Sequence, residues 1–314
     1  MFSLLGGIFL GWSLGANDAS NVFGAAVSSK MIKFWTAAFL AVAFVLIGAL
    51  FEGQAGIETL KGLTHLTLEQ AVVSSIAAAV TVTTMTILAL PVSTSQAVVG
   101  AIIGIGFLNR EINVPGLGKV VACWLGTPVG GMVFAVIVYK LLAFIYNRAP
   151  LNLFKSDQLI RFALIAAGSY GAYTLGANNV ANVTAVFVGA GKLDSFGASL
   201  IGGLSIGLGI LTFSGRVIET IGKRLLKVDA FSALVVVLAE ALTVHFYTFM
   251  GVPVSTSQAV VGAVLGIGII RGMRSVRGRT LLNVVLAWVL TPAVAACIAL
   301  AIDFSIHLRY IPPQ

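Results

Sequence analysis

Charge is scarce in this chain of 314 residues: Asp, Glu, Lys and Arg make up 10% of it. A soluble domain carries about 25%. Hydrophobic residues reach 58%, and the mean hydropathy is +1.03. A soluble core of this size needs a polar shell that such a composition cannot supply, so the chain reads as an all-α polytopic membrane protein. Cysteine is nearly absent. Cys123 and Cys297 lie in apolar stretches outside any CxxC spacing, which excludes a disulfide scaffold and a thiolate metal site, and both are expected to be buried as small hydrophobes. Histidine is equally sparse. His65, His245 and His307 do not mirror one another, and no HExxH or GxSxG occurs, which argues against an intramembrane hydrolase or phosphotransferase and against any enzyme. The first 29 residues hold no Lys or Arg, so the N-terminus reads as a spanning helix and not as a cleaved signal peptide.

The net charge of +8 invites a nucleic-acid reading. The basic residues, however, sit in short links between apolar runs, as in cytoplasmic loops of membrane proteins. No nucleic-acid partner is expected; the partner implied is a lipid bilayer.

The chain repeats itself. Asn17 maps onto Asn178, and Ile57-Glu58-Thr59 onto Ile218-Glu219-Thr220, at an offset of 161. Pro91 maps onto Pro253 at 162, and Trp124 with Thr127-Pro128 onto Trp288 with Thr291-Pro292 at 164. Shared bias toward Ala, Val and Gly does not produce four markers in one order. A period near 160 in a membrane protein indicates a transporter of two homologous halves. We divide the chain into a first repeat at 1–147, a cytoplasmic link at 148–161 and a second repeat at 162–314.

Basic links at 28–33, 146–161, 214–230 and 271–279 are assigned to the cytoplasm, and the acidic link at 52–70 to the outside with 189–195. Each half then has three clear spans, plus a Pro-broken helical hairpin at 71–108 or 231–270. The halves are expected to be inverted, with both termini outside. Two full spans in place of each hairpin give the same sidedness.

The hairpin turns carry the same words. Pro-Val-Ser-Thr-Ser-Gln-Ala stands at 91–97 and again at 253–259. Ser93 with Gln96, and Ser255 with Gln258, read as capping boxes. A cap needs one hydroxyl, so Thr94, Ser95, Thr256 and Ser257 exceed the structural need. A helix N-terminus offers free N–H groups and partial positive charge, a natural anion site. Two such termini would hold an oxyanion from opposite sides. Gly100 and Gly104, like Gly262 and Gly266, are spaced for close helix packing.

The second motif is Gly-Ala-Asn-Asp-Ala-Ser-Asn at 15–21, with Gly-Ala-Asn-Asn-Val-Ala-Asn at 176–182. Asn17, Asp18 and Asn21 share one side of a helix, and the motif is expected to interrupt that helix. An Asp at membrane depth marks a pathway or a cation partner by default, and oxygens at a broken helix suit Na⁺. The structural alternative is that these side chains only tie helices together. Glu240 falls inside an apolar run, as a proton or cation site or near the inner interface. Glu58 and Glu219 match across the repeat and form either the rim of a pathway or ordinary ion pairs.

These two motif pairs resemble the hallmark of the inorganic phosphate transporters of the PiT type, over almost the whole chain. The resemblance implies a cation-coupled (Na⁺ or H⁺) phosphate symporter of inverted repeats, working by alternating access, multi-pass in the plasma membrane and often a homodimer. It implies Na⁺ as coupling ion, with H⁺ possible, and no other cofactor. Carried over, Asp18, Ser93, Thr94, Ser95, Ser255, Thr256 and Ser257 contact phosphate, with Asn179 at the matching position. Asn17, Asp18, Asn21, Gln96, Asn178, Asn182 and Gln258 shape the cation sites. Asn179 departs from the pattern, which has Asp there, and removes one carboxylate from the pair. Sulfate, carried by a related branch, is the alternative anion, and a passive anion channel the alternative mechanism. Asp18 can accept a hydrogen bond from protonated phosphate but not from sulfate, which favours phosphate.

Overall fold

The computed structural model describes residues 2–88, 92–148, 152–215, 217–218, 229–272 and 278–308. Pro91, Arg216, Glu219, Lys223, Arg224 and Lys227 lie outside them.

Among the described residues there are eleven α-helices, a short 3₁₀ turn at Phe2–Leu4, and no strand. The first half holds α1 (Leu5–Ser28), α2 (Phe34–Glu52), α3 (Gln54–Lys61), α4 (Leu68–Ile87), α5 (Thr94–Asn109) and α6 (Val114–Arg148). The second holds α7 (Leu153–Gly189), α8 (Ser195–Thr212), α9 (Ala230–Phe249), α10 (Thr256–Arg271) and α11 (Gly278–Leu308). Side-chain caps start many of them. Thr67 and Gln70 form a full capping box on α4, and Asn152, Asp194 and Asp229 cap α7, α8 and α9. Arg110 closes α5 in the left-handed conformation, at φ 56°.

Three boundaries differ from expectation. The segment at 52–70 contains α3, because Ile57 and Leu60 find a fully buried place. The basic link at 148–161 is helical from Leu153, capped by Asn152. Neither Asn-rich motif breaks its helix: α1 and α7 run through 15–21 and 176–182 without interruption. Asn17, Asn21, Asn178 and Asn182 find partners on other segments, so these side chains do not compete with the backbone ladder.

Among the described residues six helices are long and apolar enough to cross a membrane: α2, α4, α6, α8, α9 and the stretch Val285–Ile306 of α11. α1 and α7 are not among them, since their Asn-rich motifs dilute the apolar run. They lie inside the bundle instead, with Gly6 to Ala26 of α1 almost wholly buried. α5 and α10 have 16 residues each. At 1.5 Å per residue that is about 24 Å, short of a hydrocarbon core of about 30 Å.

Packing interleaves the halves. α1 lies on α8 as α7 lies on α2, and α5 lies on α11 as α10 lies on α6. α1 meets α4 as α7 meets α9. The crossings are made by small residues. Gly15 of α1 abuts the Ile206 carbonyl, and its counterpart Gly176 abuts that of Val45. Gly100 and Gly104 seat against Pro292 and Ala296, as Gly262 and Gly266 do against Pro128 and Met132. The GxxxG spacing therefore serves helix contact, as expected. The outer faces of α6 and α11 expose Leu125, Val129, Val133, Val289 and Phe304. Cys297 is exposed on α11, contrary to its expected burial, while Cys123 is buried. Both locations suit a small hydrophobe, because a lipid-facing position is as apolar as a core.

Candidate functional site

Ser93 and Ser255 are the N-caps of α5 and α10. Each accepts from a backbone N–H three residues on, Gln96 or Gln258, at 3.3 Å. Only this half of the expected capping box forms. Gln96 Oε1 and Gln258 Oε1 are buried with no hydrogen-bond partner. The amides are therefore not spent on capping.

The two turns are in direct contact. Ser95 Oγ donates to the Val254 carbonyl at 2.9 Å, and Ser257 Oγ donates to the Val92 carbonyl at 3.0 Å. Val92 and Val254 are equivalent positions, so each turn binds the backbone of the other in the same way. This uses two of the surplus hydroxyls. Their first role is to clamp the turns, which the sequence did not show.

The Asn-rich motifs flank this clasp and differ from each other. Asn178 Nδ2 donates to Thr248 Oγ1 (3.0 Å) and the Val252 carbonyl (3.1 Å), while Asn178 Oδ1 accepts from Val254 N–H (2.8 Å). It moulds the second turn. Its counterpart Asn17 accepts from Thr86 Oγ1 at 3.2 Å and donates to Asp18 Oδ1 at 2.7 Å. Thr86 and Thr248, equivalent to each other, went unnoticed in the sequence; their 162-residue offset was the available signal.

At the next position the halves diverge further. Asp18 has side-chain partners in Asn17 and Thr256, and Thr256 Oγ1 also accepts from Asn21 Nδ2 at 3.0 Å. Asn179 Oδ1 instead accepts from Asn182 Nδ2 at 2.9 Å, and that same amide donates to Ser95 Oγ at 2.9 Å. Thr94, the counterpart of Thr256, has no partner for its hydroxyl. The exchange of Asp for Asn thus leaves one threonine tied and the other untied.

Asn17, Asp18, Asn21, Ser93, Thr94, Ser95, Gln96, Asn178, Asn179, Asn182, Ser255, Thr256 and Gln258 are all buried, and Ser257 partly so. Among these residues Thr94 Oγ1, Gln96 Oε1, Asn182 Oδ1, Gln258 Oε1 and Asn179 Nδ2 are buried without hydrogen-bond partners. Buried polar groups are ordinarily paired. Four oxygens and one nitrogen donor without partners, beside two helix N-termini, can receive a cation and an anion.

The remaining candidates separate. Glu58 pairs with Lys61 at 2.6 Å on α3, an ordinary surface ion pair. Glu240 is fully buried on α9, and both its oxygens lack partners. His65 is in a loop. His245 bonds Tyr170 and Glu52. No group of three or more His, Cys, Asp or Glu suited to a metal occurs among the described residues. A cavity of about 460 Å³, lined by Met31, Phe154, Asp157 and Ala230, opens at the ends of α1, α7 and α9 remote from the turns.

A family model described as "Phosphate transporter family" matches residues 14–299. "Putative phosphate permease MJ0630" of Methanocaldococcus jannaschii is 28% identical, with 94% of each chain covered. "Sulfate permease CysP" of Bacillus subtilis is 29% identical, covering 95% of this chain and 85% of that one. A solved structure described as "The sodium-dependent phosphate transporter" matches with a TM-score of 0.85 at 24% identity over 98% of both chains. At that identity the likeness is one of fold.

Proposed function

This chain belongs to the phosphate transporter family, and from that premise we propose that it is a cation-coupled symporter of inorganic phosphate. It is a transporter and not an enzyme. The anion sits between the N-termini of α5 and α10, where first-turn N–H groups are free of intrahelical partners. Thr94 Oγ and Asn179 Nδ2 add donors without fixed charge. The cation, Na⁺ or H⁺, sits beside Asp18, and the side-chain oxygens of Asn17, Asn21, Asn182, Gln96 and Gln258 are its candidate ligands when it is Na⁺. The observation that carries the reading is the set of partnerless buried polar atoms around the clasped turns.

The cation offsets Asp18 and the incoming anion, so the loaded site approaches neutrality and the halves can rock about it by alternating access. The exchanged helix contacts of the two halves support inverted repeats. The same reading places the chain in the plasma membrane, with both termini outside, as a homodimer.

Sulfate is the second reading. Asn179 Nδ2 is a donor where a fully ionised oxyanion would be satisfied, and a sulfate permease is among the relatives. Asp18 favours phosphate, since a carboxylate accepts from a protonated anion. Uptake of labelled phosphate by the purified chain in proteoliposomes, with Na⁺ and then with choline, tests this. Cation-dependent uptake that cold sulfate leaves unchanged supports the reading. Full competition by sulfate supports the second reading, and equal uptake without any cation gradient supports a passive channel.

A further inference from the structure

Glu240 stands apart from the site just described. Its carboxylate is fully buried, and neither oxygen has a hydrogen-bond partner. The equivalent residue in the first half is Ala78, so the duplication does not account for it. It faces the seam of α1 and α7. A Cβ placed on Gly171 of α7 would lie 3.5 Å from Glu240 Oε2 and 3.0 Å from Val22 of α1. Val22 is one helical turn beyond Asp18, and the two carboxylates interact electrostatically.

An ionised carboxylate taken from water without partners costs several kcal/mol. A metal cation would have to bring several oxygen ligands with it. At the Gly171 seam, where one Glu240 oxygen lies, the other nearest groups are the apolar side chains of Val22 and Ala241, and the carbonyls there belong to helices. A proton needs no ligand set.

A hydrogen-bonded chain runs from the surface at Glu52 as far as Tyr170, the neighbour of Gly171, and stops one step short of Glu240. Tyr170, next to Gly171, interacts electrostatically with both Glu240 and Glu52. Its hydroxyl is 2.7 Å from His245 Nδ1, and His245 Nε2 is 2.8 Å from Glu52 Oε2. Glu52 is 30% exposed. Imidazole accepts a proton on one nitrogen and releases one from the other.

We propose that Glu240 is a proton-binding site of the transport cycle, loaded from Glu52 through His245 and Tyr170. This rests on the transport reading above. One proton leaves water at Glu52 and passes to His245 Nε2. His245 releases its Nδ1 proton to the Tyr170 oxygen as the phenolic proton moves on to Glu240 through an intervening water, because no hydrogen bond joins Tyr170 to Glu240 directly. Tyr170 ends neutral, and His245 regains its first tautomer by exchanging protons with water, one lost from Nε2 and one gained at Nδ1. The proton leaves Glu240 to water when the opposite side opens.

Two other titratable groups around α9 bear on Glu240, and the rest lie elsewhere. Asp18 faces Glu240 from α1 and Tyr170 from α7. Tyr173 of α7 turns to Glu52. α6 meets α9 at Thr243 and Tyr247, with Cys123 nearby. On α10, Arg271 pairs with Asp229; on α3, Glu58 pairs with Lys61.

The test uses the full chain in sodium-free proteoliposomes, with external pH held constant so that the phosphate species offered does not change. Labelled-phosphate uptake should rise several-fold as the interior is made alkaline. Glu240→Gln should abolish the rise, Glu240→Asp should keep it, and Tyr170→Phe should slow it. An unchanged rise in Glu240→Gln, or no rise in the wild type, overturns the proposal. Infrared spectroscopy of the purified protein reads the site without transport. A carboxylic-acid band lost in Glu240→Gln is expected, and a spectrum indifferent to the substitution overturns the proton site. Absence of any phosphate uptake would instead overturn the transport reading.

Discussion

Ser95 Oγ donates to the Val254 carbonyl at 2.9 Å, and the equivalent Ser257 Oγ returns the bond to Val92. Two turns 162 residues apart thereby hold each other. Ser95→Ala leaves a buried carbonyl unsatisfied, which costs about 1–3 kcal/mol, and also removes one of the two acceptors of Asn182 Nδ2. Ser257 is only partly buried, so water can replace part of its bond. Thermal unfolding of the purified variants should show Ser95→Ala to be the more destabilised. Equal midpoints would contradict the clasp as drawn.

Thr94 and Thr256 occupy equivalent positions but not equivalent environments. Thr256 serves Asp18 and Asn21, while the Thr94 hydroxyl has no partner. Thr256→Val should therefore lower stability by about 1–3 kcal/mol. Thr94→Val should leave the unfolding midpoint nearly unchanged and weaken phosphate binding about tenfold, or about 1.4 kcal/mol. Calorimetric binding and thermal melts of both variants measure the two effects separately. Equal losses of stability would show that the Asp18–Asn179 difference does not reach the threonines.

The glycine crossings make a packing prediction. A Cβ on Gly262 would lie 2.7 Å from the Pro128 carbonyl carbon, closer than any real contact. Alanine normally gains about 1 kcal/mol over glycine within a helix. Here the collision reverses the sign, and Gly262→Ala should destabilise by about 1–3 kcal/mol. Gly118 has nothing within 4 Å of its added Cβ, so Gly118→Ala should stabilise slightly. Thermal melts of the pair decide whether the spacing serves contact.

Asp229 caps α9 just outside its apolar span and also pairs with Arg271. Partial burial pushes its carboxyl up, but hydrogen bonds from Ser232 and Arg271 outweigh this and hold it below the ordinary value of 3.8. A depressed carboxylate contributes its stability above the unfolded value and loses it as pH falls through the folded one. Asp229→Ala should cost about 1 kcal/mol at neutral pH, and the gap to wild type should close below about pH 4. A gap that persists in acid would assign the loss to packing.

The membrane class, the repeat and both motif pairs were legible because composition and spacing encode them directly. Hydroxyls beyond capping need pointed to the turns. The clasp itself was not legible, since nothing in Pro-Val-Ser-Thr-Ser-Gln indicates that Ser95 reaches the other copy's backbone. Nor was the continuity of α1 and α7. Asn and Asp compete with a helix backbone when they have no other partner, and the partners here, Thr86, Thr248, Thr256 and Ser95, come from distant segments. The Glu52–His245–Tyr170 chain joins three helices with no repeat partner to flag it. Exposed Cys297 shows the limit of inferring burial from an apolar run when lipid is the alternative.

The central claim is that Asp18, tied to Thr256 beside the clasped turns, couples cation to anion. Asp18→Asn matches Asn179 in shape and removes only the charge. Labelled-phosphate uptake by this variant in proteoliposomes, across a series of Na⁺ concentrations and with a proton gradient, is the direct test. Uptake should fall steeply and no longer respond to the coupling cation. Uptake at the wild-type level with the wild-type cation dependence would contradict it.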